Sequence, residues 1–207
     1  MTNTIDLRSE LIAAASHFYR QGWMVGTAGN LSARLEDGSF WITASGRSKG
    51  RLTPADFVRV DSRGEAIDRG AEDAKPSAET SIHQALYALL PDIRACYHVH
   101  SVEANLVSNW AKGDTLPLPP LEMLKGLGIW DENPQCAMPV FANYADVPRI
   151  AAEIESRFKT EVPQVPALLI RNHGVTVWAN STDGAFCAIE LVEYIFRYLV
   201  AERSCQG

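Results

Sequence analysis

Residues 93–101 read "IRACYHVHS". The run is short, apolar and bounded, as a buried strand is, yet it carries two imidazoles one residue apart. On a strand, residues i and i+2 share a face, whereas on a helix they diverge. As a strand, His98 and His100 project together while Tyr97 and Val99 point to the opposite side. Histidine is a costly core residue, because its ring nitrogens must find partners once water is excluded.

The surrounding chain supports a sheet. Leu7, Leu11, Ile12, Ala15, Phe18 and Tyr19 recur at helical spacing, and Gly22 follows as a stop. "NLSARLEDGSFWIT" predicts two short strands around an Asp-Gly turn, and "FVRVDSRGEAID" a second hairpin. From Ser77 to Leu90 the helical period returns, ending at Pro91. "VEANLVSNWA" reads as helical, and residues 112–134 are rich in Pro and Gly with one short helical candidate, "LEMLKGLG". "AMPVFA" predicts a strand and "DVPRIAAEIESRF" an amphipathic helix with Pro in its first turn. "ALLIRNHGVTVWA" predicts two strands pivoting at Asn-His-Gly, and a long helix from about Ser181 to Glu202 closes the chain. There is no internal repeat, low-complexity tract or linker. A single α/β domain over residues 1–207, with a largely antiparallel sheet, is the expectation.

Composition narrows the function. With 207 residues, 46% hydrophobic and 21% charged, the chain is ordinary globular material. A formal charge of -6 disfavours nucleic acid and anionic membranes as partners. The four cysteines (Cys96, Cys136, Cys187 and Cys205) form no CxxC pair, which fits free thiols in a reducing cytoplasm. Asp6, Arg8 and Glu10 interrupt the N-terminal stretch where a signal peptide needs an apolar run, and no segment approaches the ~18 apolar residues of a membrane span. A cytoplasmic protein is expected.

Two histidines on one strand face can converge on an ion at about 2.0–2.1 Å, the usual Zn–N distance. Satisfied core histidines are the rival explanation. Such an ion wants a third ligand. His17 lies in the first helix beside Phe18 and Tyr19, where packing or exposure explains it. His83 stands four residues after Glu79, so an i,i+4 hydrogen bond would account for it. His173, at a strand end beside a glycine, is the best third ligand. Three histidines leave a position open for substrate, the catalytic arrangement.

Carboxylates near such a site move protons. Glu79 follows "KPS" at a helix start, where an acid also complements the helix dipole. Glu122 sits among apolar residues in "PPLEMLKGLG"; burial there would raise its pKa and suit it to acid/base work, with a surface helix position as the rival. Glu103 is the weaker candidate. "GTAGNLS" (26–32), "TASGRSKG" (43–50) and "KPS" (75–77) offer amides, hydroxyls and cations of the kind that hold phosphate, though each alone is a common turn composition.

In this order "GTAGNLSAR", "ITASG", "KPSAET", "HVHS" and "LLIRNHG" resemble the class II aldolase/adducin family, and they span most of the chain. Residues 121–148, with "LEMLKGLGIWDEN" and "VFANYADVP", look most like the branch that dehydrates methylthioribulose 1-phosphate in methionine salvage. The resemblance implies an α/β/α domain around a mostly antiparallel sheet, commonly a homotetramer with sites near subunit interfaces. It implies a zinc ion on His98, His100 and His173, one per subunit, with other divalent metals compatible with imidazole. It implies phosphate contacts at Asn30, Ser45, Gly46 and Ser77, although Ala78 stands where sugar-phosphate aldolases carry a second serine. Glu122 matches the dehydratase acid/base glutamate and ranks first for the chemistry. Glu79, matching the aldolase glutamate, ranks second.

The implied reaction is zinc-dependent dehydration of 5-methylthioribulose 1-phosphate to 2,3-diketo-5-methylthiopentyl 1-phosphate. Cleavage by a class II sugar-phosphate aldolase and inversion by a pentulose-phosphate 4-epimerase are rivals at the same site. A non-enzymatic adducin-like module would lack the three histidines. A cupin-type iron dioxygenase, which HxH followed by Glu103 half matches, would lack the helices. Trp110, Trp130 and Tyr144 are candidates for an apolar substrate tail, with core packing as their rival.

Overall fold

A computed structural model describes residues 6–205. Its first helix, α1 (Leu7–Arg20), is opened by Asp6, whose carboxylate accepts from the Arg8 amide, and it buries Leu11, Ala14, Ala15 and Phe18 along one stripe. Both predicted hairpins form. β1 (Asn30–Arg34) and β2 (Phe40–Thr43) pair antiparallel across a turn in which Gly38 takes φ +85°, a conformation other residues resist. β3 (Phe57–Val60) and β4 (Ala66–Arg69) make the second. Helix α2 (Thr80–Leu89), strand β5 (Ala95–Val99) and helix α3 (Val102–Ser108) follow.

Beyond them come β6 (Thr115–Pro117), a 3-10 segment at Glu122–Leu127, β7 (Ala137–Phe141) and α4 (Val147–Phe158). Strands β8 (Ala167–Ile170) and β9 (Gly174–Ala179) then lead into α5 (Thr182–Cys205). All nine strands join one sheet in the order β4-β3-β2-β1-β5-β9-β8-β7-β6. Among the described residues, β7 with β8 is the parallel pairing and the others are antiparallel. The exception has a local cause: α4 carries the chain back over the sheet, and such a crossover returns the next strand parallel.

Alternation along β5 divides the core. Ala95, Tyr97 and Val99 pack with Leu11 and Phe18 of α1 and with Ile189, Val192 and Phe196 of α5. Cys96, one step along, joins Ile82 and Leu86 of α2 and Ile150 and Ile154 of α4 on the opposite face. The result is the expected α/β/α arrangement. Phe18 and Phe196 are 0% exposed, and burying each such side chain stabilises the fold by about 2–3 kcal/mol. Helices on both sides thus hold β5 rigidly, and β5 carries the paired histidines. No helix among the described residues is long and apolar enough to cross a membrane. All four cysteines are free.

Candidate metal centre

His98 is flanked on β5 by Asn30 of β1 and Thr176 of β9, its partners in the sheet register. The ring Nδ1 lies 2.9 Å from Thr176 Oγ1. That contact fixes the ring and turns Nε2 outward, as the outer partner of a metal-bound histidine does. His100 leaves the end of the same strand, its amide donating to the Trp23 carbonyl at 2.8 Å. His173 sits in the β8–β9 turn, which Asn172 closes at φ +48°. Gly174 makes that turn possible next to β5, because a Cβ there would meet the Val99 carbonyl at 2.2 Å and crowd both ring systems.

The three imidazoles stand mutually edge-on, with centroids 4.6, 5.0 and 4.5 Å apart. Nε2 of His98 lies 2.7 Å from Nε2 of His100, so the two nitrogens cannot both carry hydrogen and a lone pair points into the gap. Glu79 completes the group. Its Oε1 is 2.7 Å from His173 Nε2 and its Oε2 is 3.2 Å from His98 Nε2. Donor atoms of the four residues all fall within 4.8 Å of one another.

Glu79 occupies the N-cap position of α2 but makes no capping bond with its side chain. The carboxylate instead accepts from the Asn30 amide and faces the rings. Dipole complementarity therefore does not explain it. Burial works to raise its pKa, yet the His98 and His173 rings and the Asn30 donor outweigh burial and hold it below the ordinary carboxylate range. Burial also pushes His98 down to about 4, against the pull of Glu79, and His100 down to about 3. His98 and His100 are therefore neutral near pH 7, the state a metal requires. Three imidazoles converging in a space this small, with a carboxylate beside them, fit one divalent cation.

His83 corrects the sequence reading. It is fully buried, but its Nδ1 bonds Ser32 Oγ at 2.7 Å, and no hydrogen bond joins it to Glu79. Ser32 also meets Tyr87 Oη at 2.8 Å, so a polar chain lies behind Glu79. His17 behaves as read, packed against Phe186 and 3.2 Å from Glu190.

The three small polar segments open on one cavity of about 280 Å³, which Asn30, Ser45, Gly46 and Ser77 line together with Glu79 and His100. Asn30 already spends one amide hydrogen on Glu79. Lys49 also faces this cavity, and neither it nor Thr176 emerged from the sequence as an individual site residue. "TASGRSKG" held the signal for Lys49. Strand register, which supplies Thr176, has no such signature.

Glu122 lies elsewhere. Its side chain is 80% exposed rather than buried, pairs with Lys125 at 2.8 Å, and lines a separate cavity with Trp130. The burial expected for this carboxyl is absent, and the surface position is the one found. Trp130 is itself 73% exposed, so core packing does not explain it. Trp110 stacks under Arg203, and Tyr144 under Arg149.

Residues 9–200 match the model of the Class II Aldolase and Adducin N-terminal domain. A methylthioribulose-1-phosphate dehydratase of Microcystis aeruginosa is 67% identical over 196 residues, 95% of this chain and 96% of that protein. The enzyme of that name from Leptospira biflexa is 46% identical, covering 94% of this chain and 98% of its own. Among solved structures, L-fuculose-1-phosphate aldolase from Thermus thermophilus superposes with a TM-score of 0.77 at 26% identity, covering 97% of this chain and 96% of that one.

Proposed function

The chain belongs to the class II aldolase and adducin family, and from that premise we propose that it is a metal-dependent hydro-lyase of methionine salvage. It converts 5-methylthioribulose 1-phosphate to 2,3-diketo-5-methylthiopentyl 1-phosphate. One observation carries this reading: 67% identity to a dehydratase of that name, sustained over 95% of the chain.

His98, His100 and His173 hold the ion, zinc in this reading and one per subunit. When bound, it supplies a fixed positive charge that lowers the cost of negative charge on the C2 oxygen. The chain's own groups do the rest. Ser45 and Ser77 hydroxyls, the Gly46 amide and the free hydrogen of the Asn30 amide receive the phosphate. Glu79, ionised and facing the cavity, takes the C3 proton. The electron pair of that C–H bond moves toward the C2 oxygen and returns as the C4–O bond breaks. Glu122 gives the departing hydroxyl its proton, so water leaves and the enol relaxes to the diketone. Glu122 must be brought to the histidines by a contact between subunits. A cytoplasmic homotetramer with sites near its interfaces accommodates this.

Incubating the zinc-loaded protein with a small panel of ketose phosphates tests the reading. Diketone and water are expected from methylthioribulose 1-phosphate. Release of an aldehyde, or inversion at C4 without loss of water, would replace it with the aldolase or epimerase reading.

A further inference from the structure

Lys49 is 2% exposed, an unusual place for an ammonium group, and yet it lines the cavity beside Glu79 and His100. Its Nζ donates to the Thr27 carbonyl at 2.8 Å and to the Arg47 carbonyl at 2.9 Å. Those carbonyls belong to two loops that border the cavity, so the side chain ties one to the other. An ammonium has three hydrogens, and two are engaged in this way. Burial depresses its pKa to about 8, with Glu79 working in the opposite direction.

Charge balance gives the third hydrogen its purpose. Among the described residues, Lys49 is the one lysine or arginine in the cavity wall, where Ser45, Gly46 and Ser77 offer neutral donors and Glu79 adds a negative charge. A phosphate monoester brings a charge of roughly −1.5 to −2 near pH 7. Neutral donors orient such a group without offsetting its charge, and an uncompensated charge in a confined space is costly. We propose that Lys49 is a substrate-binding residue whose free N–H meets the phosphate, making it the cation by which this site selects phosphorylated ligands. The substrate class rests on the function proposed above; the anion selectivity does not.

The test compares wild type with Lys49→Gln, whose amide keeps two N–H donors but carries no charge. Inorganic phosphate is the probe, titrated against the zinc-loaded protein by thermal shift and calorimetry. The expected result is a roughly ten- to hundredfold weaker phosphate affinity in Lys49→Gln, with unchanged zinc content. With methylthioribulose 1-phosphate, KM should rise by a similar factor while kcat stays within about threefold. Phosphate affinity within about threefold of wild type would overturn the proposal and leave Lys49 as a tie between loops. Should the variant not fold, wild-type crystals grown with phosphate decide: Nζ within about 3.2 Å of a phosphate oxygen supports the contact, and separation beyond roughly 4 Å overturns it. Phosphate binding without turnover of methylthioribulose 1-phosphate would sink the function and spare this inference.

Discussion

Glu79 and Glu122 stand in two kinds of environment. Glu79 is buried at the start of α2, held by the Asn30 amide, the His98 ring on β5 and the His173 ring in the β8–β9 turn. Glu122 is 80% exposed on a 3-10 segment, with Lys125 as its ion-pair partner. The difference teaches that one chain builds the anchoring half of the site by itself. Its proposed proton-donating half waits for something outside the chain to cover it. Preorganisation of this kind puts the ordering cost of the metal site into folding, because its rings are already placed by packing and outer hydrogen bonds.

The sharpest way to break this contrast is to delete a ring. His98→Ala should abolish stoichiometric zinc binding and lower turnover by more than about 10³-fold, read by elemental analysis and diketone formation. Trp130→Ala, in the exposed region, should leave zinc content unchanged. Loss of zinc in both variants would mean the two regions are not independent.

Next come the carboxylates. Glu122→Gln should cut kcat by roughly 10²–10⁴ while stability stays within about 0.5 kcal/mol, because an exposed ion pair contributes little. Glu79→Gln should lose activity on the same scale and shift the melting temperature as well, since its charge is buried among partners. Full activity in Glu122→Gln would remove it from the mechanism.

Acidification should act on the buried half. His98, His83 and His100 sit at about 4, about 4 and about 3 in the folded chain, against about 6.5 when unfolded. The unfolded chain therefore binds more protons across that interval. Stability of the metal-free protein should be full above pH ~6.5 and fall as the pH drops toward 4. Denaturant midpoints that do not change between pH 7 and 5 would contradict this. The smallest effect expected is from Thr176→Val, which removes the partner of His98 Nδ1 and should weaken zinc affinity about 10- to 100-fold.

Much of this architecture was legible in the residues. The hairpins, β5, the β8–β9 pivot and all five helices follow from periodicity and turn chemistry, because each is a local signal. His98 and His100 were legible as a pair because a strand repeats every two residues, and His173 because a glycine follows it. What escaped depends on register and on distant chain. Thr176 meets His98 only once β5 and β9 are aligned. Lys49 is one loop cation among several until carbonyls from Thr27 and Arg47 bury it. The expected Glu79–His83 bond failed for the same reason, since Ser32 on β1 competes for the ring. Apolar neighbours in sequence point to a sheltered Glu122, but Leu124 and Leu127 turn inward and leave it outside.

The most direct test strips the protein of metal, confirms this by elemental assay, and titrates zinc back while following diketone formation from methylthioribulose 1-phosphate. Activity should be absent at the start, recover in proportion to added zinc and saturate at one ion per chain. Undiminished turnover by the verified metal-free protein would contradict the account at its base.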